Sequence, residues 1–161
     1  MTALRPARPE DREFLFSVYA STRTEELAPV PWTAEQKSVF LKMQFDAQDA
    51  DYNRNYAGAD FSVIEVDGVP AGRLYVERQP AEIRLIDIAF LPAFRGRGLG
   101  TGLLRDLLAE ADAQGKRITL HVEVFNPARR LYEGLGFTAV SERSPYVFME
   151  RRPAVSAARV S

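Results

Sequence analysis

The 161-residue sequence has no cysteine, a single histidine and a single tryptophan. It also has no apolar run near the ~20 residues that a membrane-spanning helix needs. Without cysteine, disulfides, thiolate metal ligands and cysteine nucleophiles are excluded. With His121 alone, a zinc site would need mostly carboxylate ligands, which that metal seldom takes, so no metal is expected. A formal charge of −1 supplies no overall field towards nucleic acid or an anionic membrane. Any anion recognition must therefore be local. Met1-Thr2-Ala3-Leu4-Arg5-Pro6 lacks the basic start and apolar stretch of a secretory signal, and a cytoplasmic location is expected.

At 46% hydrophobic and 27% charged, the chain has the composition of a globular domain. It contains no internal repeat. Residues 1–152 are expected to form one domain, and 153–161, small residues without apolar period, a flexible tail.

Apolar spacing and breakers give the elements. A short strand around Leu4 precedes a helix over 10–22, entered through Pro9-Glu10-Asp11 and carrying Phe14, Leu15, Val18 and Tyr19 on one face. Thr33 and Gln36 read as a capping box that starts a second helix running to about Asp51. In that helix Phe40, Met43 and Ala47 recur at helical spacing and are expected to pack inward. Gln44, Gln48 and Tyr52 form a polar stripe at i, i+4, i+8. Strands at 61–66 and 69–77 flank Asp67-Gly68, the left-handed pair of a two-residue hairpin turn. A third strand, 82–91, ends at Pro92. A leucine-faced helix from Leu99 to Ala111 follows, with Gly115 as its C-cap, and a strand over 117–124 then runs parallel to 82–91. A short helix over 127–134 and strands at 137–142 and 146–150 complete the chain. The order is β-α-α-β-β-β-α-β-α-β-β. It implies a mixed α/β sheet of six to seven strands with helices on both faces.

Arg95-Gly96-Arg97-Gly98-Leu99-Gly100 stands between a strand and a helix. Helix N-termini carry unpaired amides and a positive dipole end, and glycine lets a phosphate approach the backbone. Arg95, Arg97 and Arg105 lie close together, with Asp106 the adjoining acid. A dinucleotide fingerprint fails, because the third glycine position falls on Thr101 or Leu103. A P-loop fails for want of a Gly-Lys-Ser/Thr triplet. A contact between Arg-Gly-Arg-Gly and nucleic acid fits poorly with a nearly neutral chain.

Arg95-x-x-Gly98-x-Gly100 resembles the Arg/Gln-x-x-Gly-x-Gly/Ala motif of the GNAT superfamily of acetyltransferases, and the element order is similar to theirs. The preceding Ile88-Ala89-Phe90-Leu91-Pro92 looks like the family's core strand, which splays from its parallel neighbour. Asn126-Pro127-Ala128-Arg129-Arg130-Leu131-Tyr132-Glu133-Gly134-Leu135-Gly136-Phe137 resembles its second signature. The likeness is specific over 83–140 and weak over 1–60.

The resemblance implies a GNAT-like fold and transfer of acetyl from acetyl-CoA, as co-substrate, to a primary amine of a small molecule or peptide. It implies that Arg95, Gly96, Arg97, Gly98, Leu99, Gly100 and Thr101 hold the coenzyme pyrophosphate. Main-chain groups of Ile88 and Phe90 would pair with pantetheine, and Asn126 would hydrogen-bond the coenzyme or cap its helix. Tyr132 is the expected general acid to the departing thiolate, since a phenol of pKa ~10 stays protonated near neutrality. Where several family members carry a glutamate, this chain has Arg84, so Asp87, Glu123 and His121 remain for the amine side. Asp87, in an apolar strand, either pairs with Arg84 or Arg97 or meets the substrate. Glu123 and His121 read as exposed surface, and direct attack without a dedicated base is compatible with the family. The first two helices are expected to bind the acceptor, through Gln44, Gln48 and Tyr52. A non-catalytic acyl-CoA sensor is the alternative. Family members are often dimers, so a homodimer is compatible; no nucleic-acid or membrane partner is expected.

Overall fold

Among the described residues, seven strands and four α-helices follow one another in the order that the hydrophobic spacing predicts. A computed structural model of the chain describes residues 1–154. Most of the expected tail, 155–161, lies outside the described residues. The strands are β1 (Thr2–Pro6), β2 (Asp60–Val66), β3 (Val69–Arg78), β4 (Glu82–Phe90), β5 (Arg117–Glu123), β6 (Thr138–Arg143) and β7 (Tyr146–Arg151). The helices are α1 (Arg12–Leu27), α2 (Ala34–Asn55), α3 (Leu99–Gln114) and α4 (Ala128–Gly134). The sheet order is β1-β2-β3-β4-β5-β7-β6. The mixed, mostly antiparallel α/β architecture agrees with the expected order. No helix among the described residues is long and apolar enough to cross a membrane.

The described residues divide into two compact units, one of Met1–Tyr75 with Asp87–Arg97 and the other of Val76–Ile86 with residues 98–154. In the first unit, Thr33 Oγ1 accepts the Gln36 amide at 3.1 Å and Gln36 Oε1 accepts the Thr33 amide at 2.9 Å, closing the capping box that starts α2. Asp67, at φ 50°, and Gly68, at φ 81°, make the hairpin turn between β2 and β3. Leu15 and Tyr19 of α1, Leu41 and Phe45 of α2 and Val63 of β2 form the core of this unit.

One expectation for α2 is corrected. Met43 is 67% exposed and Ala47 lies outside as well, so the inward stripe is Leu41, Phe45, Gln48 and Tyr52. The helix carries apolar residues on two sides, and sequence spacing alone fits either stripe. Contact with Tyr19 and Phe16 selects the one that holds Phe45.

In the second unit, β4 and β5 run parallel, in a register that covers three residue pairs from Glu82 with Arg117 to Arg84 with Thr119. The intervening α3 buries Leu104, Leu107, Leu108 and Ala111 and ends on left-handed Gly115. β7 enters between β5 and β6 and pairs antiparallel with both. Ile118, Leu120, Val147 and Met149 are buried at this pairing. Arg117 ties Glu82 and Glu150 together across the polar face of the same strands, at 3.1 and 2.9 Å.

Candidate functional site

The segment between β4 and α3 has the backbone that its glycines predict. Pro92–Phe94 form a single 3-10 turn, and the Arg95 amide returns to the Pro92 carbonyl. Gly96 and Gly98 then take left-handed conformations at φ 73° and 75°, so any side chain there would be strained. Gly98 is the N-cap residue of α3, with no side-chain cap and no acid in the first turn. The first helical amide to find an acceptor is that of Gly102, on the Gly98 carbonyl at 3.0 Å. Among the described residues, the amides of Gly96, Arg97, Gly98, Leu99, Gly100 and Thr101 have no acceptor. A Cβ at Gly96 or Gly98 would meet nothing within 4 Å, so the space beside this run is open. Consecutive free amides at the positive end of a helix, bordered by open space, fit a pyrophosphate.

The two loop arginines differ. Arg95 Nε donates to the Phe90 carbonyl and its Nη2 to Ser21 Oγ of α1, each at 3.0 Å. It braces the loop from outside. Arg97 lies over the Phe94 ring, 5.3 Å from its centroid, with no carboxylate partner among the described residues.

Gly72 of β3 was not singled out from the sequence, yet it controls the strand that leads into the loop. A Cβ there would stand 2.2 Å from the Ala89 carbonyl oxygen and 3.0 Å from Phe90 Cα, both backbone atoms. Only glycine permits this approach, which is fixed alongside by the Leu91 amide on the Ala71 carbonyl. Gly72→Ala is expected to destabilise the protein by about 1–3 kcal/mol, the range for forced overpacking, and to weaken pyrophosphate binding at the loop with it. Thermal unfolding and a binding titration check the two effects.

Asp87 of β4 pairs with neither Arg84 nor Arg97. Its partner is Arg73 of β3, with which it forms a close ion pair. The physical reason is burial: Arg73 is 3% exposed, and a cation that deep requires a countercharge. Arg73 Nη2 also donates to Gln48 Oε1 at 3.0 Å. The guanidinium lies 5.0 Å from the Tyr75 ring centroid and 5.9 Å from that of Tyr19. Burial opposes its charge, but Asp87 and the neighbouring tyrosines outweigh that and raise its pKa above the ordinary value.

The polar stripe of α2 lies against this cluster. Tyr19 Oη donates to Gln44 Oε1 at 3.2 Å, and Tyr52 packs edge-on to Tyr75 and Tyr56. Burial, reinforced by the Asp87 charge, pushes the Tyr52 phenol well above its usual range, so it remains protonated.

Arg84 points its guanidinium at His121 Nδ1 and over the Phe148 ring. Burial, then the Arg84 charge, lowers the His121 pKa below its ordinary 6.5. The unfolded chain takes up this proton more readily than the folded one. Stability therefore declines as pH falls through 6.5, and above it the residue contributes nothing. The chain's one histidine gives a single imidazole NMR titration, expected to have its midpoint below 6.5 and to move upward in Arg84→Gln.

In the turn from β5 into α4, Asn126 Oδ1 accepts the Ala128 amide at 2.9 Å, a side-chain turn one residue ahead of Pro127, the N-cap of the helix. A hollow of about 520 Å³ opens here, lined by Phe125, Asn126, Arg129, Arg130 and Glu133 among others. Phe125 is 93% exposed. Tyr132 is buried, its ring 5.7 Å from that of Phe137, and its carbonyl accepts the Phe137 amide at 3.0 Å. Asn126 stands just before α4 and Tyr132 within it, as the sequence indicates.

Comparison with known proteins converges. The profile described as Acetyltransferase (GNAT) family matches residues 20–137. A Bacillus subtilis (strain 168) protein, named as a candidate [ribosomal protein bS18]-alanine N-acetyltransferase, is 32% identical over 148 residues, covering 89% of this chain and 85% of its own. A mycothiol acetyltransferase of Corynebacterium glutamicum (strain R) is 34% identical over 118 residues, 71% of this chain and 39% of that longer protein. The PaiA N-acetyltransferase of Thermoplasma acidophilum, crystallised with coenzyme A, superposes with a TM-score of 0.71 at 16% identity, over 94% of this chain and 99% of that one.

Proposed function

This chain belongs to the GNAT acetyltransferase family, and from that premise we propose that it carries acetyl from acetyl-CoA to a primary amine by direct attack, with Tyr132 as general acid. The observation that carries the donor side is the run of acceptor-free amides over residues 96–101 at the start of α3. These amides bind the pyrophosphate, helped by the α3 dipole and the charge of Arg97. Arg95 supports the loop through Phe90 and Ser21. The main chain of Ile88 and Phe90, beyond the three paired residues of β4, aligns with pantetheine. Asn126, already holding Ala128 through Oδ1, has its amide NH₂ for the coenzyme.

Bound acetyl-CoA supplies an activated thioester and a thiol leaving group. The acceptor nitrogen forms its bond to the acetyl carbon as the carbon–sulfur bond breaks, and the electron pair leaves with sulfur. Tyr132 Oη–H gives that sulfur its proton, and solvent returns one to the phenolate. Asp87 meets the acceptor amine and takes up its surplus proton for solvent. Gln44, Gln48 and Tyr52 line that side.

The α-amine of an alanine-initiated peptide is the first acceptor to test, because the Bacillus relative named for alanine N-acetylation aligns nearly end to end with this chain. Thiol release from acetyl-CoA is measured with an alanine-initiated hexapeptide, free alanine, glucosamine and spermidine. The peptide is expected to give the highest kcat/KM. Preference for glucosamine or spermidine overturns the acceptor assignment, and coenzyme binding without release on any amine favours an acyl-CoA sensor.

A further inference from the structure

We propose that Arg73 is a positioning residue for the acceptor side, fixing the Asp87 carboxylate from beneath and tying it to α2 through Gln48. The inference rests on the reading of Asp87 as the group that meets the amine. Three observations carry it. The pair is asymmetric: the Arg73 side chain is 4% exposed and the Asp87 side chain 23%, so only the carboxylate reaches towards solvent. Arg73 cannot itself touch an acceptor, whereas Asp87 can.

The guanidinium is also held on several sides. Asp87, Gln48 Oε1 and the Tyr75 and Tyr19 rings belong to β4, α2, β3 and α1, so every element of the cluster constrains it. A carboxylate paired to a guanidinium fixed in this way has little freedom of its own. Finally, Arg73 Nε is buried without a hydrogen-bond partner. An arrangement selected for stability alone would satisfy that donor or replace the pair by apolar residues. Keeping a buried arginine with an unmet donor is intelligible if the position of the carboxylate is what matters. The stripe of α2 then has a divided role: Gln48 holds Arg73, while Gln44 and Tyr52 remain for the acceptor.

A double-mutant cycle read on the amine tests this, using whichever of the four panel amines gives the highest kcat/KM. Asp87→Asn is expected to lower kcat/KM for the amine about 100-fold while the KM for acetyl-CoA holds. Arg73→Lys keeps the charge but loses the planar fork, and is expected to lose about 10-fold, chiefly through the amine KM. Arg73→Met should fall as far as Asp87→Asn. Arg73→Met/Asp87→Asn leaves no unpaired buried ion and should be no worse than Asp87→Asn alone. If Arg73→Met does not fold, Arg73→Lys takes its place in the cycle.

Native amine kinetics in Asp87→Asn overturn the reading of Asp87. A deficient Asp87→Asn beside Arg73 variants with native amine kinetics, or a double variant whose losses multiply, overturns the role of Arg73 and leaves Asp87 standing. Equal changes in the KM of amine and acetyl-CoA, tracking a lowered Tm, would make Arg73 structural only and also overturn the proposal.

Discussion

Gly98→Asp is expected to weaken acetyl-CoA binding about 100-fold or more while leaving the fold intact. The substituted carboxylate would stand at the N-cap of α3, where aspartate is a favoured capping residue and tolerates a left-handed backbone better than most. It would compete for the amides that otherwise await an acceptor, at the cost of the strain that any side chain meets at φ 75°. The pyrophosphate loses those donors and meets a like charge a few ångströms away. Each charge-assisted hydrogen bond lost is worth about 1.5–3 kcal/mol, and the repulsion adds about 1–4 kcal/mol at the effective dielectric of a protein surface. A 100-fold loss corresponds to about 2.7 kcal/mol, at the low end of that sum. Calorimetric titration with acetyl-CoA and a thermal melt, run on the same preparation, check it. Affinity should fall about 100-fold while stability drops by no more than the roughly 1–3 kcal/mol that a left-handed non-glycine residue costs, and undiminished affinity would sink the loop assignment.

Tyr132→Phe is expected to lower kcat about 100-fold with little change in the KM for acetyl-CoA, the span attributed to a positioned general acid. The substitution keeps the ring, and with it the packing on Phe137 and the backbone bond that ends α4. What it removes is the proton for sulfur. A donor with a less basic leaving thiolate should be less affected, because its sulfur needs that proton less. Steady-state kinetics with natural and activated thioester donors separate this from a packing defect, which would depress both equally.

The elements were legible where local chemistry decides them. Asp67-Gly68, Thr33 with Gln36 and Gly115 each specify a backbone event within a few residues, and each occurs as read. The glycine loop belongs with them, since Gly96 and Gly98 state their own φ values. The failures concern residues whose meaning depends on a distant partner. Met43 and Ala47 share helical spacing with Phe40 but face outward, because Tyr19 and Phe16 wait opposite Phe45. Asp87 was matched to arginines near it in sequence, whereas Arg73 stands 14 positions away on the adjacent strand. A signal existed: Ala71-Gly72-Arg73-Leu74-Tyr75-Val76 places a glycine and a cation in an otherwise apolar strand. Such a glycine implies a close backbone neighbour, and such a cation implies a buried countercharge. Neither says which residue answers.

His121, whose pKa burial and Arg84 lower below its ordinary 6.5, has a consequence for assay design. Histidine is the side chain whose ordinary ionisation falls between pH 5 and 8, and this chain has neither a second one nor a cysteine. With its pKa lowered below 6.5, the imidazole adds less to a change of rate with pH the further the pH rises above that value. A plot of kcat/KM against pH in that window becomes a spectrometer for the substrate. Its rising limb reports the acceptor's own ammonium, near pH ~8 for an α-amine and near ~10.4 for a lysine-like amine. The curve can identify the class of nitrogen being acetylated before the molecule that carries it is known.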